Sequence, residues 1–214
     1  MSNRETAGGA LGLVQAFVNT VDLQDGPEEL AGPDTLNAWL VARGLIEEGQ
    51  PVDASDLKHA IAVREAIRGV IGANSGFPLY PIDIATLNEA AAAGRVRIRF
   101  AADGRPRLDP EVTGVVGAIG RIVAAVYTAM EGEDWSRLKL CESPPCRWAF
   151  YDRSRNHSSR WCTMASCGNR MKAKRFRSRS KNPGPELRDG GPSHLTHGDP
   201  RASESHGGDL RQDP

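Results

Sequence analysis

The sequence predicts an α+β protein: a mostly helical N-terminal domain with a small β-hairpin, followed by a small cysteine-rich module that ends in a basic helix. Three observations support this fold class. Apolar residues recur at helical spacing through most of the chain before residue 131. One stretch, 96–100, alternates apolar residues with arginines, as a half-buried strand does. All four cysteines lie between Cys141 and Cys167.

Five helices are expected in the N-terminal domain, each with an apolar stripe. Their approximate ranges are 11–20, 34–44, 53–73, 83–94 and 112–130. Side chains suited to N-terminal capping precede three of them, at Asp34, at Asp53 or Ser55, and near Asp83. The last helix is the most apolar, and it is therefore expected at the centre of the body. Arg64 and Arg68 are assigned to polar or boundary positions of the third helix.

A β-hairpin is expected between the fourth and fifth helices. Ile98 and Phe100 should face inward, and Asp103-Gly104 is a typical hairpin turn sequence. Residues 105–108 can pair back, with Pro106 confining that strand to an edge.

The cysteines form two pairs with equal spacing, Cys141/Cys146 and Cys162/Cys167, separated by fifteen residues. Two short-spaced pairs are typical of a tetrahedral metal site, and four thiolates favour a single structural Zn²⁺ with no open position for a substrate. Two disulfides would also fit the count, and an iron–sulfur cluster would also use four thiolates. His157 lies between the pairs and is an alternative ligand. The favoured prediction is a zinc-ribbon-like finger with four cysteine ligands.

Inside the finger, Trp148 and Phe150 are expected on one strand, with 160–162 as the strand that returns to pair with it. These two aromatic residues and Trp161 should form a small core around the metal. Thr163 is expected to cap a helix that runs to about Arg179. Ala173 and Phe176 share one stripe of that helix and are expected to pack.

Charge is strongly segregated along a chain of zero formal net charge. Between Arg137 and Lys181 thirteen Lys and Arg residues face only Glu142 and Asp152, a net of +11, and the rest of the chain carries −11. This asymmetry predicts a module that binds a polyanion, joined to an acidic body. The nucleic-acid-binding residues predicted for it are Arg153, Arg155, Asn156, Arg160, Arg170, Lys172, Lys174, Arg175, Arg177 and Arg179.

Two groups of motifs resemble a known family. Near the start stands Phe17-Val18-Asn19-Thr20, and near the end the four cysteines are followed by Gly168-Asn169-Arg170. Together these motifs resemble the ABATE-domain proteins with a C-terminal CGNR zinc finger, which are stress-induced transcriptional regulators of bacteria. The resemblance implies zinc on the four cysteines, nucleic-acid binding by the finger and a sensory or ligand-binding role for the body.

Three domains follow from these patterns: an ABATE-like helical body at 9–135, the CGNR-type finger at 136–181 and a disordered tail at 182–214, which is poor in apolar residues. No motif of a catalytic site is present, so the protein is expected not to be an enzyme. Asn19, Thr20 and Arg64 are low-ranking candidates for binding a small-molecule effector, with helix capping as the alternative.

The predicted function is that of a zinc-dependent, cytoplasmic, DNA-binding transcriptional regulator that acts on duplex DNA, with a homodimer as a plausible state. The absence of a long apolar run argues against a membrane protein. The alternative is an RNA-binding or protein-interaction zinc module without a transcriptional role.

Overall fold

The computed structural model describes residues 6–24 and 26–181, with side chains as far as Ser178. The predicted tail, 182–214, and the Arg179 side chain lie outside the described residues. Six α-helices are present in the described part: α1 Gly9–Val18, α2 Pro33–Val41, α3 Ala54–Ala73, α4 Pro81–Ala93, α5 Gly114–Met130 and α6 Asn169–Lys181. Four strands form two antiparallel pairs: β1 Arg97–Phe100 with β2 Pro106–Asp109, and β3 Leu138–Leu140 with β4 Ala149–Tyr151.

The body is a helical cluster around α5, as its apolar sequence predicts. This helix packs against α1, α3 and α4, and strand β2 also contacts it. Phe17, Ile67, Ile119 and Ile122 are fully buried between these helices. Burial of such side chains stabilises the fold by about 1.5–3 kcal/mol each. Among the described residues, no helix is both long and apolar enough to span a bilayer.

The helix starts depart from the prediction at two places. Asp53 caps α3 by accepting hydrogen bonds from the amides of Ser55 and Asp56, at 2.7 and 2.9 Å. The predicted caps Asp34 and Asp83 are wrong, because α2 and α4 begin earlier, at Pro33 and Pro81. Proline suits the first helical position, where its missing N–H would have no partner and its fixed φ already matches the helix.

The hairpin formed by β1 and β2 has the predicted position, and Arg97 pairs with Asp109 and Phe100 with Pro106. Its predicted burial is wrong: Ile98 is 67% exposed and Phe100 is 75% exposed. All four residues of β1 are exposed, so alternation does not produce a buried face on this strand.

The finger joins the body through strand β3. Leu138 in β3 pairs with Tyr151 in β4, whereas residues 160–162 form no strand. The predicted pairing of β4 with 160–162 is therefore wrong. The buried side chains of Leu138, Leu140 and Ala149 belong to the same apolar core as the body helices.

Candidate metal centre and basic surface

The four cysteines meet at one point, as the paired spacing predicts. Their Sγ atoms all lie within 4.8 Å of one another, and all four residues are buried. The Sγ atoms of Cys146 and Cys162 are 3.6 Å apart, and those of Cys162 and Cys167 are 3.8 Å apart. These cysteines are free, so the disulfide alternative is wrong. Among the described residues the cluster contains no histidine, and His157 is exposed.

The geometry fits a tetrahedral zinc ion. A Zn–S bond of about 2.3 Å places the sulfurs of a tetrahedron about 3.8 Å apart, close to both measured separations. The electrostatics also favour a bound cation. The pKa of Cys141 is lowered because Cys146 and Cys162 hydrogen-bond to its sulfur, whereas the pKa of Cys146 is raised, first by its hydrogen bond to Cys141. Four thiolates this close are compatible only when a metal ion lies between them.

Two tight turns present the sulfurs. In the first, the amide of Cys146 donates to the carbonyl of Ser143 at 2.9 Å, and in the second, the amide of Gly168 donates to Thr163 at 3.1 Å. Thr163 stands at the predicted N-terminal cap position, but its side chain makes no capping hydrogen bond. The four cysteines and Phe150 form a separate buried cluster, with Trp148 and Trp161 packed against it. The predicted aromatic core around the metal is therefore confirmed.

A buried carboxylate organises the basic loop 153–160, a role that sequence reasoning missed. Asp152 is 1% exposed. It accepts hydrogen bonds from Lys139 Nζ at 2.8 Å and from the amides of Ser154 and Ser159 at 2.9 and 3.0 Å. Burial raises the pKa of Asp152, but the hydrogen bonds from Lys139 and Ser154 outweigh it and hold that pKa well below its usual range. The Asp-x-Ser spacing of a side-chain turn is the signal that could have identified this role.

Several basic residues of the finger have internal partners. Lys139 pairs with Asp152, and Arg137 lies 3.2 Å from Asp134. The guanidinium of Arg147 lies over the Phe77 ring at 3.8 Å from its centroid, and Arg160 pairs with Glu142. The net of +11 already includes Glu142 and Asp152, so of these contacts only the Arg137–Asp134 pair lowers it further, while Arg147 is withdrawn from a ligand by its ring contact.

Helix α6 carries most of the remaining charge. It contains no acidic residue, and the predicted residues Arg170, Lys172, Lys174, Arg175 and Arg177 are all exposed. The predicted packing of Ala173 and Phe176 is wrong, because both are exposed and Phe176 retains 73% of its accessible surface. On the loop, the predicted residues Arg153, Arg155, Asn156 and Arg160 are exposed as well.

The finger is anchored to the body by polar side chains for which the sequence predicted no such role. Arg68 is buried, contrary to the prediction. Its guanidinium donates to the carbonyl of Val18 at 2.6 Å and to that of Arg147 at 3.1 Å, so it bridges body and finger. Asn74 donates to the carbonyl of Leu138 at 3.0 Å.

The three effector-binding candidates also have internal partners. Asn19 bonds to the backbone of Ala149. The hydroxyl of Thr20 donates to Phe17 and accepts from Arg64, which is buried and pairs with Glu28 at 2.6 Å. Burial lowers the pKa of Arg64, but the hydrogen bonds and charges of Glu28 and Glu65 outweigh burial, so the pKa is raised overall. These contacts account for the three residues within the fold, and effector binding by them stays a prediction.

The fold and the site define a helical body that carries a four-cysteine zinc finger. Residues 11–130 match the ABATE family, described as "putative stress-induced transcription regulator", and residues 137–180 match the CGNR zinc finger. The chain therefore belongs to the ABATE family and has its C-terminal CGNR finger, which holds one structural zinc ion on the four cysteines. No curated protein matches the chain.

Proposed function

We propose that this protein is a zinc-dependent transcriptional regulator that binds duplex DNA through its finger. The observation that carries the proposal is helix α6, on which five exposed cations stand between Arg170 and Arg177 without a single acidic residue. An ordinary surface helix gains from acid–base pairs four residues apart. In a helix without acidic residues the cationic side chains repel one another, and this repulsion is offset when phosphates supply the counter-charge.

The basic loop 153–160 forms the second part of the proposed surface. The bonds of Asp152 fix the backbone on both sides of the loop, so Arg153 and Arg155 are carried on an ordered segment. Phosphate contacts position such a module, whereas a guanidinium that reaches a base edge gives it sequence preference. Arg155 is our candidate for that second role, because it is exposed and no acid is adjacent to it in sequence.

The zinc ion has a structural role in this proposal, and the protein acts without catalysis in the cytoplasm. All four positions around the ion are taken by thiolates, so no site remains for a substrate water. A finger this small contacts few base pairs, and a homodimer would supply the missing specificity. The family description supports a stress response, and the proposal includes a small-molecule effector that acts on the body.

Fluorescence anisotropy with labelled duplexes tests the proposal. Four to six phosphate contacts, which suit a module of this size, give a slope of log K against log salt near −4 to −5, at about −0.9 per contact. A slope near zero contradicts the proposal. A clear preference for single-stranded RNA over every duplex supports the alternative, an RNA-binding zinc module.

A further inference from the structure

The β1–β2 hairpin carries a second concentration of arginines, which lies outside the finger. Arg95, Arg97 and Arg99 converge on the single carboxylate of Glu111, with N–O distances of 3.7, 3.2 and 3.8 Å. The side chains of all three arginines remain 61% exposed. One carboxylate cannot neutralise three guanidinium groups, so this face retains positive charge on a chain whose remainder outside the finger is acidic.

The strand register adds a fourth arginine to the same face. Arg107 stands directly opposite Arg99 and Asp109 directly opposite Arg97, and residues directly opposite each other in an antiparallel pair share a face. With Arg95, the face therefore carries four arginines against two carboxylates, those of Asp109 and Glu111. Within the described part of the chain, Arg107 has no acidic partner within ion-pair distance. Like charges directly opposite destabilise a strand pair. A two-stranded hairpin is marginally stable at best in water, so this arrangement disfavours the element that carries it.

We propose that the arginine face of this hairpin is a second contact for the phosphates of a duplex nucleic acid. Guanidinium groups pair with phosphate oxygens through two parallel hydrogen bonds. Their common partner Glu111 holds three of them together before a ligand arrives. A two-stranded ribbon also has the width that the major groove of DNA admits. This inference rests on the proposed function, since it assumes that the finger binds the same duplex.

The hairpin and the finger lie at different places along helix α5. Val96 and Pro110, which flank the strands of the hairpin, approach Gly120 within α5, whereas the finger begins after the last residue of α5. A duplex that engages both contacts must therefore extend beyond the segment bound by the finger.

The test uses the full chain with Arg99→Gln and Arg107→Gln combined, and Lys58→Gln as a control with one exposed cation removed from α3. On a duplex of about 25 base pairs, the double variant should show a salt slope shallower by about two units, because two phosphate contacts are lost. The melting temperature should not fall, because the opposed charges are removed.

Two results overturn the inference alone: a salt slope of the double variant on this duplex equal to that of the control, or a lower melting temperature. If the double variant binds DNA like wild type but is no longer retained on polyglutamate, the face contacts an acidic protein instead. That result also overturns the inference. Failure of the proposed function looks different, because wild type itself would then bind no duplex at any salt concentration.

Discussion

The side chain of Asn19 pairs with the backbone of Ala149 as a neighbouring strand would. Its amide nitrogen donates to the Ala149 carbonyl at 2.8 Å, and its oxygen accepts from the Ala149 amide at 2.9 Å. Asn19 stands at the end of α1, and Ala149 begins β4 of the finger. An asparagine at the end of a body helix therefore fixes the position of a strand in the metal-binding module.

Replacing this side chain should destabilise the whole chain. Asn19→Ala removes both hydrogen bonds and leaves a buried amide and carbonyl of Ala149 in need of partners, at about 1–3 kcal/mol for each unsatisfied group. Gln15 also donates to that carbonyl, at 3.3 Å, so the expected loss is about 2 kcal/mol in total. Urea unfolding measures it, with Asn88→Ala on the exposed face of α4 as control. A loss no larger than that of the control would show that the pairing does not hold the finger.

The bonds of Asp152 predict a second effect on stability. Asp152→Asn keeps the shape of the side chain but loses the charge that pairs with Lys139, and its –NH2 group cannot accept from the amide of Ser154 or Ser159 that it faces. The expected cost is about 2–4 kcal/mol. Binding to DNA should weaken too, because the loop 153–160 loses its anchor. Glu89→Gln, an exposed carboxylate on α4, serves as control and should change neither property.

The same carboxylate predicts a pH dependence. Its pKa is lowered in the folded state from an unfolded value of about 3.9, so its contribution is complete above that value and is lost as the pH falls toward the folded pKa. The difference between wild type and Asp152→Asn should stay constant from pH 7 to about 5 and shrink below about 4. Zinc content measured in the same samples identifies the pH at which the metal leaves. A difference that changes between pH 7 and 5, with zinc still bound, contradicts this assignment.

Metal loss should affect the body as well as the finger. Purified protein should contain about one zinc ion per chain, and structural zinc contributes on the order of 10–16 kcal/mol in small modules. Cys162→Ser removes one zinc ligand. Without the metal, strands β3 and β4 are no longer held in place. Because Leu138, Leu140 and Ala149 lie in the body core, the melting temperature of the body helices should fall too.

Ser166→Ala is the matched control for this substitution, since Ser166 is exposed within the same turn as the cysteines. Elemental analysis and circular dichroism are the measurements. Preparations of wild type that contain no metal, or a Cys162→Ser variant whose helices melt as in wild type, would contradict the prediction.

The sequence predicts the metal site well, because ligand spacing is a local property. Equal short gaps within Cys141/Cys146 and Cys162/Cys167 are sufficient to place two sulfurs on each turn. The positions of the body helices are predicted equally well, since apolar residues recur at helical spacing along them. Their first residues are harder to predict, because Pro33 and Asp34 are both acceptable at a helix start and only the backbone decides between them.

Long-range pairing is the part that the sequence leaves open. Strand β4 pairs with β3 rather than with residues 160–162, and the local sequence pattern does not distinguish these two pairings. The burial of Arg68 depends on carbonyls at Val18 and Arg147, which are 50 and 79 residues away in sequence. No local pattern distinguishes such an arginine from one on the surface. The exposure of Ile98 likewise depends on tertiary structure, because no other element in the described part of the chain covers its side of β1.

The charge on α6 gives the prediction that bears most directly on function. Lys174→Ala and Arg177→Ala together remove two exposed cations from one face of the helix, which lie three positions apart. If both contact phosphates, the salt slope should become shallower by about two units, at about 0.9 per contact. Affinity should fall to a similar extent for every duplex sequence, because phosphate contacts carry no sequence information.

Anisotropy over a salt series measures both quantities, with Lys58→Ala on α3 as control. Unchanged slopes with intact zinc content would place the DNA contact elsewhere on the chain, whereas a loss confined to one duplex sequence would assign these residues to base recognition.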